Sequence, residues 1–147
     1  MKELNLQDID LSIIKQKHVL IVASCWNKEW VEQLTSRVLS ELATNKNINV
    51  QVIKVPGSWE IPYIVKRSIH KYHAIIAIGV LIKGATKHFE YIAKNVFNAL
   101  MQCQLEDGAC PVINGVLTVM NENQIEERIP LGTDWARSCL LMMKQNE

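Results

Sequence analysis

Apolar residues recur along this chain with two different periods, and the alternation between them predicts its layout. His18 to Ser24 (HVLIVAS) and Ala74 to Ile82 (AIIAIGVLI) are continuous apolar runs of strand length, rich in β-branched residues. Runs of that kind mark strands covered on both faces. Ile48 to Val55 and Cys110 to Val119 complete a set of four expected strands. Between them the period changes. Trp30, Val31, Leu34, Val38, Leu39 and Leu42 recur three or four residues apart, with Glu32, Arg37 and Glu41 between them, so Lys28 to about Ala43 is expected to be an amphipathic helix.

The same reading predicts a helix after Pro56-Gly57, with Ser58 as its cap, Glu60 in its first turn and Pro62 tolerated only because it falls in that turn. A longer helix runs from Lys87 to about Gln104. Its stripe from Phe89 through Ile92, Val96, Phe97, Leu100 and Met101 is wider than one sheet face requires, which predicts subunit contact. Asn121 to Arg128 gives a helical turn or two. A final helix, capped by Thr133 or Asp134, carries Trp135, Ala136, Leu140, Leu141 and Met143. Residues 1–17, with sparse apolar positions such as Leu4 and Leu11, form either a tail or an added edge strand.

Strands alternating with helices imply a parallel sheet with helices on both faces, a three-layer α/β/α sandwich. In such sheets ligands gather outside the carboxyl ends of the strands. Those ends are Ser24 to Asn27, Pro56 to Glu60, Val80 to His88 and Leu117 to Asn121. The third is the most informative. Gly84 is expected to allow a tight turn, and Thr86 to cap a helix whose first amides lack intrahelical acceptors. Free amides at the positive end of a helix dipole make an anion site, flanked here by Lys83 and by His88, a group able to take and return a proton near neutral pH. A phosphate-bearing small molecule is therefore expected. Trp26 can stack on a planar heterocycle while Asn27 donates to and accepts from its edge, and Ser58, the Trp59 amide and Glu60 suit a polyhydroxylated chain.

Composition narrows these expectations. A chain of 147 residues, 48% hydrophobic and 21% charged, fits one folded domain. Sixteen basic and 15 acidic residues give a net charge of +1, with no basic cluster to attract nucleic acid. No apolar run approaches the ~20 residues of a membrane helix, and the polar start lacks a signal peptide's apolar region. A cytoplasmic protein is the simplest expectation. The four cysteines, Cys25, Cys103, Cys110 and Cys139, are widely spaced without metal-site spacing, and read as small buried hydrophobes.

Four strings converge on one family. VPGSWEIP at Val55 to Pro62, GVLIKGATKHFEYI at Gly79 to Ile92, PVINGVLT at Pro111 to Thr118 and NENQIEER at Asn121 to Arg128 closely resemble the 6,7-dimethyl-8-ribityllumazine synthases of riboflavin biosynthesis. The resemblance runs in order from about residue 18 to the end. It implies a flavodoxin-like fold and a transferase that condenses 5-amino-6-(D-ribitylamino)uracil with 3,4-dihydroxy-2-butanone 4-phosphate, without metal or organic cofactor. It also implies a homo-oligomer with sites between subunits.

Carried over by motif position, Trp26 stacks on the pyrimidine with Asn27 beside it. Ser58, Trp59 and Glu60 hold the ribityl chain, and Val80, Leu81 and Ile82 wall the pocket. Gly84, Ala85 and Thr86, with Lys83, cradle the phosphate, Arg128 of a neighbouring subunit pairs with it, and His88 shuttles protons. Two features depart from the family pattern. Asn114 stands where an aromatic residue usually closes the pyrimidine pocket from the adjacent subunit, and IPLGTDW after Arg128 is shorter than the usual loop. The short loop points to a pentamer. Together the departures leave an alternative open, a pentamer that binds a flavin or lumazine without making it.

Overall fold

Two strands with no exposed apolar face sit at the centre of the molecule. In the computed structural model, which describes residues 5–147, β1 (Lys17–Ser24) and β3 (Ala74–Ile82) pair in parallel from Val19↔Ala74 to Ala23↔Ile78. Every residue of those five pairs is fully buried. β2 (Ile48–Val55) lies outside β1 and β4 (Val112–Val119) outside β3, giving a four-stranded parallel sheet in the order β2-β1-β3-β4. The expected α/β three-layer sandwich is the observed one. β2 is half-buried or exposed up to Lys54 and buried only at Val55, as befits an edge strand with one neighbour.

The pleat sends alternate residues to opposite layers. Val19, Ile21, Ala23, Ile76 and Ile78 pack against α1 (Lys28–Leu42), α4 (Asn123–Arg128) and α5 (Leu131–Gln145). Leu20, Val22, Ile75 and Ala77 pack on the other face with α2 (Ile61–Ser68) and α3 (His88–Gln104). Each fully buried Ile or Leu contributes about 1.5–3 kcal/mol. Among the described residues, no helix is long and apolar enough to cross a membrane.

Several boundaries differ from the sequence reading for identifiable reasons. The final helix begins at Leu131, so Thr133 and Asp134 lie in its first turn rather than capping it. Pro130 at the cap, with φ of −60°, is already set for the helix. The start also brings Gly132 against α1, where a Cβ would stand 2.8 Å from the Leu34 carbonyl oxygen. Ser58 does not cap α2. Ser58–Glu60 forms one turn of 3-10 helix, and the serine is buried against the sheet. The N-terminal stretch forms no edge strand among the described residues, and Leu4 lies outside them. Residues 5–16 instead lie along the α1 and α5 layer. Leu11 and Ile13 join the core, and the Ile13 N–H donates to Asn45 Oδ1 at 3.1 Å. Arg137 also holds the Leu6 carbonyl.

At the amino ends of the central strands, His18 and His73 form a reciprocal clasp. The His73 N–H donates to the His18 carbonyl at 2.8 Å, and the His18 N–H donates to His73 Nδ1 at 2.9 Å. The rings stack with centroids 5.7 Å apart. A backbone N–H can only donate, so Nδ1 carries no proton here. Burial, then the Lys17 ammonium and His18, hold the His73 pKa below its ordinary 6.5. The unfolded chain therefore takes up a proton before the folded one. The clasp's contribution is complete above about pH 6.5 and is lost as the pH falls from there to the lower folded value. A pH series of melting temperatures should show a steeper acid loss in the wild type than in His73→Asn, whose amide oxygen keeps the acceptor without titrating.

Cys103, Cys110 and Cys139 are buried, as expected of small hydrophobes, while Cys25 is exposed. Burial pushes the Cys110 thiol up to about 11 and Cys139 up to about 12. A thiol reagent at pH 8 should modify one cysteine per native chain rapidly and all four after unfolding. Rapid reaction of a second thiol in the native protein would contradict this packing.

Candidate functional site at the carboxyl end of the central strands

The chain leaves β1 and β2 side by side. The Cys25 N–H donates to the Val55 carbonyl at 2.7 Å and the Trp26 N–H to the Pro56 carbonyl at 3.1 Å, which fixes the two loops against each other. Trp26 is 70% exposed and lies along Gly57, where an added Cβ would stand 3.5 Å from the indole. Asn27 follows in the left-handed region, φ 57° and ψ 42°, and its Nδ2 donates to the Val80 carbonyl on β3 at 2.9 Å.

A cleft of about 410 Å³ opens above these strand ends. The β1 and β2 loops contribute Trp26, Gly57, Ser58, Trp59 and Glu60. β3 contributes Leu81, and α3 contributes His88, Tyr91, Ile92 and Asn95. Six residues named from the sequence therefore meet in one cavity: Trp26, Ser58, Trp59, Glu60, Leu81 and His88. Tyr91, Ile92 and Asn95 were missed. Their spacing of three, four and seven from His88 puts them on the histidine's face of the helix, a signal the sequence does carry. A depression of about 460 Å³ beside Glu29, Glu32 and Arg37 contains none of the expected residues.

The approach to α3 differs from the expected tight turn. Among the described glycines only Gly108 has a positive φ, so Gly84 does not use glycine's special conformations. Its Cα faces open space, with nothing within 4 Å of an added Cβ. Lys83, Gly84, Ala85 and Thr86 form an exposed loop beside the cleft without lining it. Thr86 Oγ1 accepts the His88 N–H at 3.3 Å, and α3 starts at His88, one residue later than expected. The Lys83 ammonium lies 3.9 Å from Glu90 Oε1. Val80 is buried, and both it and Ile82 pack toward the α1 and α5 layer.

Two candidate residues lie apart from the cleft. Asn114 is on β4 opposite Ala77, and its Oδ1 accepts the Val116 N–H at 3.0 Å. With Phe97, Leu100 and Met101 it lines a separate groove of about 310 Å³ along α3. Arg128 ends α4, where its guanidinium donates to the Gln124 carbonyl at 2.9 Å and lies 3.7 Å from Glu127. The outer face of α3 is only partly covered. Val96, Leu100 and Cys103 are buried, Ile92 and Phe97 half-buried, and Tyr91 and Met101 exposed.

Comparison with known proteins decides the family. The family model described as 6,7-dimethyl-8-ribityllumazine synthase matches residues 16–147. The chain belongs to the lumazine synthase family. As a member it is an enzyme, a transferase. The 6,7-dimethyl-8-ribityllumazine synthase of Schizosaccharomyces pombe is 40% identical over 135 residues, covering 84% of each chain. That of Stenotrophomonas maltophilia R551-3 is 37% identical over 123 residues, covering 81% of this chain and 79% of its own. The Pyricularia oryzae protein of the same name is 34% identical, covering 83% and 84%.

Within the family string beginning at Gly79, the glycine itself has a steric reason. A Cβ there would stand 2.4 Å from Ser58 Oγ and 3.4 Å from Ser24 Oγ. Gly79→Ala should force Ser58 out of place at a cost of about 1–3 kcal/mol, the usual range for overpacking. Denaturant unfolding checks this. Adding Ser58→Ala to Gly79→Ala should recover most of the loss, because it removes the clashing oxygen.

Proposed function

We propose that this single domain of residues 1–147 condenses 5-amino-6-(D-ribitylamino)uracil with 3,4-dihydroxy-2-butanone 4-phosphate to 6,7-dimethyl-8-ribityllumazine, releasing phosphate and water. The observation that carries the reading is the cleft in which Trp26, Ser58, Trp59 and Glu60 face His88 across the end of β3. An exposed indole beside hydroxyl, amide and carboxylate groups suits a planar ring bearing a polyhydroxylated chain. Family membership and the names of the relatives support the same substrates.

Trp26 stacks on the pyrimidine, while Ser58, the Trp59 backbone and Glu60 hold the ribityl hydroxyls. Val80, Leu81 and Ile82 supply wall and backbone contacts. Lys83, Gly84, Ala85 and Thr86 receive the phosphate, and the open space over Gly84 lets an oxyanion approach the backbone. The pyrimidine's amine attacks the ketone carbonyl and water leaves as the imine forms. Phosphate is then eliminated, and the ribityl-bearing amine closes the ring onto the carbonyl this leaves, releasing a second water. His88 carries protons in these steps. Much of the rate comes from holding two substrates together, which requires few strong catalytic groups.

Asn114 and Arg128 complete the site from the next subunit of a homo-oligomer, proposed to be a pentamer. Their separation from the cleft within one chain is what motivates this arrangement.

Mixing the two substrates with the protein should generate lumazine absorbance well above the uncatalysed rate. No acceleration with a flavin still bound would sink the synthase reading in favour of a binding protein. His88→Ala should slow turnover by roughly 10–100-fold, at or below the low end for a positioned acid–base group, because proximity survives. Arg128→Ala should raise KM for the phosphorylated ketone about 10–100-fold, as for a lost charge-assisted hydrogen bond, with little effect on KM for the pyrimidine. Equal losses for both substrates would contradict the assigned role.

A further inference from the structure

Asn27 makes a different bond from the one its position suggests. An asparagine before a helix ordinarily turns its side-chain oxygen onto the first helical amides. Asn27 makes no such cap bond, and its amide reaches 53 residues along the chain to the Val80 carbonyl at 2.9 Å. We infer that Asn27 is a positioning residue, tethering the corner between β1 and α1 to the end of β3 and thereby aiming Trp26 into the cleft. The inference rests on the reading of that cleft as the pyrimidine site.

Three observations support the tether. First, the β1 pairing with β3 ends at Ala23↔Ile78, whereas β3 continues beside β4 to Ile82↔Val119. The β3 edge beyond β1 needs polar partners, and Asn27 supplies one to a residue that is itself only 2% exposed. Second, Asn27 is the only non-glycine residue with positive φ among those described. Asparagine tolerates that conformation better than most side chains, and here it both turns the chain and sends the amide across. Third, Trp26 has little burial to hold it, being 70% exposed. Its direction depends on the backbone on either side: its own N–H on the Pro56 carbonyl and the adjacent Asn27 on Val80. The tether thus takes up one of the two amide N–H donors that the sequence reading assigned to a ring edge.

Releasing the tether frees the indole, and binding must then order it. The expected effect is a rise of about threefold to tenfold in KM for the pyrimidine, with kcat changed less than about twofold. Asn27→Asp removes the donor, and Asn27→Gly keeps the positive φ while removing the side chain. With 5-fluorotryptophan in the full-length protein, the Trp26 fluorine line, assigned by its absence in Trp26→Phe, should be single and sharp in the wild type. In both Asn27 variants it should shift and broaden while the Trp30 and Trp135 lines stay in place. An unmoved Trp26 line in both variants would overturn the proposal.

A double-mutant cycle separates positioning from contact. In a Trp26→Ala background Asn27→Asp should leave KM nearly unchanged, because the residue acts through the missing indole. A further rise by the full factor would mean that Asn27 touches the substrate itself, and the proposal fails. The fluorine experiment needs no turnover, so a protein that makes no product would refute the enzymatic reading while still testing the tether.

Discussion

The parallel pairing of β1 with β3, apolar on both faces, is the constraint on which the rest of the molecule depends. A strand pair with no polar face must be covered twice, so helices lie on both sides and the connections pass over the sheet. The chain runs from β1 out to β2 and returns over α2 to β3. The loops after β1 and β3 therefore leave their strands in different directions, and a crevice opens at that reversal. Trp26 and Leu81, 55 positions apart in the sequence, face the same cavity because their strands are neighbours at this switch point. The site's position follows from burial before any functional residue is considered.

Much of this is legible in the residues. Continuous apolar runs at Val19–Ala23 and Ala74–Val80 announce doubly covered strands, and the change to a helical period after Lys28 and His88 announces the crossovers. Less legible is anything that depends on groups distant in the chain. Ser58 looks like a helix cap because its local sequence is cap-like, yet its hydroxyl lies against Gly79, a neighbour known only once β3 is in place. The bond from Asn27 to the Val80 carbonyl is likewise hidden until β3 is in place. Leu131 begins a helix earlier than the polar Thr133 and Asp134 suggest, because α5 closes on α1 at Gly132. In each case a tertiary contact outweighs a local preference worth about 1 kcal/mol. Tyr91, Ile92 and Asn95 belong to a different class, since helical spacing from His88 already places them on the cleft side.

One chain presents only part of the proposed site. The cleft gathers groups suited to the ring, its hydroxylated chain and a proton carrier, while Asn114 and Arg128 lie elsewhere on the same chain. The partly covered face of α3 runs from the cleft toward the groove at Asn114. A second copy covering that face would bury the surplus apolar surface and complete the site in one contact. Stability and catalysis would then share an interface, and the wide apolar stripe of α3 would have a purpose beyond its own sheet.

A site shared between copies fixes the mass of the protein in solution. Sedimentation velocity at the concentration used for activity should give a single species near five times the 16.8 kDa chain. A strict 16.8 kDa monomer that still forms the lumazine would rule out the shared site, because the proposed phosphate partner Arg128 would then have no neighbour to serve.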